Sequence, residues 1–161
     1  MKRFAASFVM CAIAVLVAAG ALVGCANNAS SLNSEQQANR AYMSQVNAAM
    51  AQLGEDLDSF VAAVSRGDVV NMRTQADNAY KALDALDAAE APEALADVKK
   101  EYVEGTTKMR EALDAYIALY TDIESGSFSQ STYEARIAEI QKKYDEAVEQ
   151  LKKADEAAAK A

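Results

Sequence analysis

"TYEARIAEIQKKYDEAVEQLKKADEAAAKA", residues 132–161, decides the fold. Its apolar residues fall at Tyr133, Ile137, Ile140, Tyr144, Ala147, Leu151, Ala154 and Ala158, in alternating steps of four and three. That spacing returns to one side of an α-helix at every turn, whereas a half-buried strand would need every second residue. Lys, Glu, Asp and Gln fill most other positions, so one stripe is apolar and the rest faces water. Near the end the stripe thins to alanine, which predicts fraying there.

The same spacing recurs three times upstream. The first helix starts near Ser34, where Ser34-x-x-Gln37 fits a capping box. It carries Tyr42, Val46, Ala49, Leu53, Leu57, Phe60 and Val64, and stops at "SRGDVV". There Gly67 suits a left-handed C′ position and Asp68 suits the cap of the next helix. The second stripe is Val69, Met72, Ala76, Ala79, Leu83 and Leu86, flanked by Tyr80, and Pro92 separates it from the third. The third runs Leu95, Val98, Tyr102, Thr106, Met109, Leu113, Tyr116, Tyr120, Ile123 and closes at Ser125-Gly126. Two nested boxes, Ser127-x-x-Gln130 and Ser131-x-x-Glu134, leave the start of the fourth helix open by about four residues. Four striped helices joined by short loops predict an all-α, antiparallel up-down four-helix bundle over residues 34–161. The alternative is a three-helix coiled coil from which the first helix strays.

Helix length suggests where such a bundle could be contacted. At about 1.5 Å per residue, helices one, three and four span roughly 45–50 Å and the second about 35 Å. Stacked in order, the hairpin of helices three and four should overshoot one end by roughly 15 Å. That tip would carry Tyr116, Tyr120, Ile123, Phe128 and Tyr133, an aromatic patch suited to a partner protein. The competing expectation is that these residues pack on one another across the hairpin.

Composition narrows the chemistry. The 161 residues hold 24 acidic and 16 basic side chains, a net charge of −8, with no His and no Trp. Nucleic acid and anionic headgroups need basic surface, so neither is expected as a main partner. Without His there is no Glu-x-x-His for a di-iron bundle, no C-x-x-C-H for haem and no imidazole to activate a Ser or Cys. A zinc site would have to be all carboxylate, which is unusual. Hence no metal, no cofactor and no catalytic residues are expected. A carboxylate pair for glycoside cleavage remains open in principle, but Asp84, Asp97, Glu111 and Glu139 fall on outward positions. Gly105 stands mid-helix, where Gly costs about 1 kcal/mol relative to Ala; tight helix packing explains it better than a ligand does. Tyr42, Tyr80, Tyr102, Tyr116, Tyr120, Tyr133 and Tyr144 lie on or beside the seams, where the ring is buried and the hydroxyl reaches the edge.

The first 33 residues speak to location. Met1-Lys2-Arg3 is basic, and Phe4 to Val23 contains no charge. Twenty apolar residues at about 1.5 Å each could also cross a bilayer as an uncleaved anchor. Leu22-Val23-Gly24-Cys25 favours the other reading, a secretory signal peptide. These four residues resemble the lipobox of bacterial lipoproteins. The resemblance implies a diacylglyceryl group on Cys25 and cleavage between Gly24 and Cys25, so that residues 1–24 leave, Cys11 among them. Two or more acyl chains give stable anchoring where one is marginal. Residues 25–33, "CANNASSLN", then read as a flexible tether carrying the acylated Cys. No other Cys follows, so the domain would have no internal disulfide. Losing Lys2 and Arg3 would make the mature chain more acidic still. In a host with two membranes, Ala26 after the Cys implies the outer one.

The whole is similar to small bacterial lipoproteins whose mature part is a helical bundle. The expectation is an extracytoplasmic, non-catalytic protein, anchored to the cell membrane by its N-terminal lipid and acting through contact with another envelope protein. The alternative is a binding protein for an apolar or aromatic small ligand, held between helices near Tyr102, Met109 and Tyr116.

Overall fold

The computed structural model describes residues 33–127 and 129–160. The leader, Leu22, Val23, Gly24 and Cys25, the tether up to residue 32, and Phe128 lie outside the described residues. The described residues form four helices: α1 (Ser34–Arg66), α2 (Val69–Ala88), α3 (Ala96–Glu124) and α4 (Gln130–Ala158). A single 3-10 turn, Glu93–Leu95, leads into α3.

Local chemistry sets each boundary. The α1 cap is Asn33, one residue earlier than the Ser34 box requires: its Oδ1 accepts from the Gln36 N–H at 2.8 Å. Asn reaches back across the first turn as well as Ser does, so either could serve, and the extended Asn33 backbone takes the role. At the other end Gly67 adopts φ 65°, and its N–H and that of Asp68 close onto the Val64 and Ala63 carbonyls. Asp68 then caps α2 by accepting from the Asn71 N–H at 3.1 Å. Pro92 precedes α3 rather than standing in its first turn; its carbonyl accepts from Leu95 N–H at 2.9 Å and winds the 3-10 turn. Gly126, at φ 73°, follows the end of α3. Neither nested box caps α4. Ser129 holds the cap position without a side-chain bond to the backbone, its hydroxyl lying 2.9 Å from that of Ser131.

Small side chains make the hairpins close. α1 packs tightly on α2 and α3 on α4. Ala63, Ala76 and Ala79 are fully enclosed in the first hairpin, and Ala112, Ala147 and Ala154 in the second. Gly105 permits the closest approach: a Cβ there would stand 2.6 Å from Leu151 Cδ2 and 3.2 Å from the Leu151 backbone nitrogen. The tight-packing reading of Gly105 is therefore the one the structure shows.

Larger residues join the two hairpins. Phe60 of α1 meets Tyr116 of α3 edge-on, ring centroids 5.8 Å apart. One apolar cluster draws on all four helices, including Tyr42, Val46, Leu53 and Phe60 of α1 at 2% exposure or less. The first helix thus belongs to the body, and the three-helix alternative does not hold.

Polar pairs fix the stagger of α2 against α3. Asp87 faces Thr106 (2.7 Å), Asp84 faces Arg110 (2.7 Å), Tyr80 bonds Asp114, and Arg73 donates to Thr121 (2.9 Å). These contacts place the first turn of α2 beside the last turn of α3. The α1–α2 and α3–α4 connections consequently lie level, and the aromatic hairpin does not overshoot. The shortfall of α2 is real, but it falls at the opposite end. There α3 extends about ten residues past Asp87, roughly 15 Å. The linker fills that space with Ala89 and Leu95, both buried, and Lys99 Nζ pins it through the Ala89 carbonyl at 2.7 Å.

Candidate functional site

The five residues of the expected tip divide. Tyr120 is 9% exposed, and its hydroxyl is pushed up to about 12 by burial. Tyr116 and Tyr133 are half-buried, Ile123 is exposed at 37%, and Phe128 lies outside the described residues. Tyr116 spends its ring on Phe60 and points its hydroxyl at Gln141 Oε1, 3.5 Å away. Among the described residues of this end, Tyr120 is buried and Tyr116 and Tyr133 are half-buried, while Ile123 and Val70 are open to water.

Tyrosines behave as expected of seam residues. Tyr102, 1% exposed, donates to Asp155 Oδ1 at 2.6 Å across the α3–α4 seam. Burial raises this hydroxyl, with the Asp155 bond adding to the rise. Desolvation raises the Asp155 carboxyl above its ordinary value, against the lowering effect of Tyr102. Tyr80 bonds Asp114, and Arg110 lies 6.0 Å from the Tyr80 ring centroid. Two buried polar atoms on α1, Asn39 Oδ1 and Tyr42 Oη, have no hydrogen-bond partner among the described residues.

The seam between α1 and α4 is the loosest between helices that neighbour one another around the bundle. Tyr144 marks its centre, 3% exposed, with its hydroxyl raised first by burial and then by Asp58 of α1, Tyr116 of α3 and Asp145 of α4. Asp58 and Asp145 thus both act on the same phenol, one from each helix. Asp145 accepts from Gln141 at 2.9 Å, and neither carboxylate has a salt bridge among the described residues. The composition shows many acids but not this pairing, because it depends on which faces of α1 and α4 meet.

On the opposite flank, Arg110 bridges Asp84 and Asp87, at 2.7 and 3.2 Å, and Asp87 also receives the buried Thr106 hydroxyl. On the outer surface of α3 and α4, a shallow trough of about 370 Å³ is lined by Lys108, Glu146, Glu149, Gln150, Lys152, Lys153 and Glu156. Its walls are charged and suit no apolar ligand. Glu101 there accepts from Lys153 and Gln150, and those bonds hold its carboxyl below the usual range. Asp84, Asp97, Glu111 and Glu139 are exposed, and three of them sit in surface ion pairs. Among the described residues no group of three or more His, Cys, Asp or Glu is arranged to hold a metal, and no helix is long and apolar enough to cross a membrane. Comparison of the chain with protein-family models, with curated proteins and with solved structures finds no match.

Proposed function

We propose that this chain is an extracytoplasmic lipoprotein, held to the cell membrane through an acylated Cys25, whose bundle acts by contact with another envelope protein. The observation that carries the reading is Leu22-Val23-Gly24-Cys25 at the close of a charge-free run behind a basic start. Diacylglyceryl attachment would place Asn33, where α1 begins, a short tether from the bilayer, and both hairpin turns at the far end. In a host with two membranes the anchor would be in the outer one.

Protein contact, rather than catalysis or small-ligand capture, is supported by how the side chains are used. Tyr102 and Met109, which a ligand between helices would have to touch, are 1% and 0% exposed and belong to the packed core. The Tyr102 hydroxyl is committed to Asp155 and the Tyr116 ring to Phe60. What the domain offers is a long, mostly acidic surface without a cofactor's usual ligands.

Mass spectrometry of the protein from its native membrane tests the anchor. The expected product begins at Cys25 and carries lipid, and Cys25→Ser releases the protein into the soluble fraction. A bare Cys25 sulfur, or residues 1–24 still attached, would remove the proposal's basis. Cross-linking in intact cells should then recover an envelope protein with the wild type and lose it with Cys25→Ser.

A further inference from the structure

The geometry points to the α1–α4 seam as the docking surface, and to a basic helix with an apolar face as the partner segment. This deepens the protein-contact reading and rests on it.

Helical spacing puts Met43, Met50, Gly54 and Val61 on the flank of α1 that carries Asp58, and Val148 on the flank of α4 that carries Asp145, so apolar side chains border the seam. Met43, Met50 and Val148 are half-buried against the core, and Val61 is 36% exposed. Met43 and Met50 are seven residues apart, as are Gly54 and Val61, so each pair holds one line along α1. Gly54 is the decisive position. It sits in the middle of a 33-residue helix, yet a Cβ there would meet nothing within 4 Å. Glycine in a helix interior costs about 1 kcal/mol relative to alanine. At Gly105 the α3–α4 packing accounts for that cost; at Gly54 nothing among the described residues does. A second helix lying in the seam would account for it, because a missing side chain lets a backbone come close. Methionines suit such a border, since their unbranched chains adapt to the body laid on them.

Charge selects the occupant. By helical spacing Asp58 of α1 and Asp145 of α4 border the seam, and neither has a salt bridge among the described residues. A helix docked there with lysines or arginines beside its apolar stripe would pair with both. Arg40 and Lys152, on the same flanks by helical spacing, make a second copy of this chain the competing occupant. The net charge of −8 weighs against it, because two such acidic bodies repel along their length.

The test is photo-cross-linking of the full chain, in neutral detergent micelles, with a Lys/Leu amphipathic helical peptide. A Glu/Leu peptide of equal length is the control. The Lys/Leu peptide should label α1 around residues 47–61 and α4 around residues 141–152, at least about tenfold above the Glu/Leu peptide at low salt. Gly54→Trp, which covers the seam from a position with no intramolecular neighbour at Cβ, should lower the labelling by a similar factor while the circular dichroism of the bundle is unchanged. Asp58→Asn with Asp145→Asn should lower it without altering the surface shape. Equal labelling by both peptides, labelling elsewhere, or indifference to Gly54→Trp would overturn the proposal. So would α1-to-α1 cross-links between copies in the absence of peptide, which would assign the seam to self-association. Cross-links in cells to a partner on another face would leave the proposed function standing and remove only this site.

Discussion

Two glycines among the described residues occupy helix interiors, and their surroundings give them opposite roles. At Gly105 an added methyl would press on Leu151 Cγ at 2.8 Å and on its backbone nitrogen at 3.2 Å. Gly105→Ala is expected to destabilise the protein by about 1–2 kcal/mol, overpacking outweighing the gain in helix propensity. Gly54→Ala, which meets no neighbour, is expected to stabilise it by about 1 kcal/mol. Urea unfolding followed by circular dichroism measures both: the midpoints should move in opposite directions, with unchanged slopes. The packing role of Gly105 was legible in the sequence because it lies on the apolar seam between Tyr102 and Met109. The oddity of Gly54 was not, since only the fold shows that none of the other three described helices presses on it.

Pairs of helices are joined by two different means. Within each hairpin, alanine brings backbones close, joined in α3–α4 by Gly105, and there the partners are also fixed by Tyr102–Asp155. Between α2 and α3 the contact is polar, centred on Asp87, which takes the Thr106 hydroxyl and one arm of Arg110. Thr106 is 0% exposed. Asp87→Ala removes its cross-helix acceptor and is expected to cost about 2 kcal/mol in urea unfolding. Lys100→Ala, breaking an exposed i,i+3 pair with Asp97, should leave the urea midpoint essentially unchanged. Helix identities and the stripes Tyr42–Val64, Val69–Leu86, Leu95–Ile123 and Tyr133–Ala158 were readable from spacing alone. Relative stagger was not: it is set by pairs such as Tyr80–Asp114 and Arg73–Thr121, distant in sequence, so the short α2 could be recognised while the end it leaves open could not. Caps at Asp68 were legible because Gly67 precedes; at Asn33 and Ser129 several side chains of similar chemistry stood in a row.

For the molecule as a whole, stability is bound up with tyrosine. Tyr42, Tyr80, Tyr102, Tyr116, Tyr120 and Tyr144 all have hydroxyls raised above 10, chiefly by burial. Unfolded, each releases its proton near pH 10; folded, each holds it to higher pH. The unfolded chain therefore binds fewer protons above pH 10, so stability is fully present below that value and is lost as pH rises through the folded values, Tyr120's being about 12. Between pH 9 and pH 11 the melting temperature should drop by roughly 10 °C or more. Tyrosinate absorbance should rise together with loss of helix; a rise well before unfolding would contradict it. The aromatic content was plain in the sequence, and so was burial of the rings. The level turns remove the expected overshoot of the α3–α4 hairpin, and of its described aromatics Tyr120 is buried while Tyr116 rests its ring on Phe60.

Alternating up and down four times returns the chain to its starting side, so Asn33 and Lys160 leave the same face of the barrel-shaped body. A fluorophore or affinity tag attached at Lys160 would therefore share its surroundings with Asn33 and say little about the opposite pole. To watch that pole, a label has to be inserted in the Gly67–Asp68 bend or between Ser125 and Ser129, the two places where the backbone turns over there.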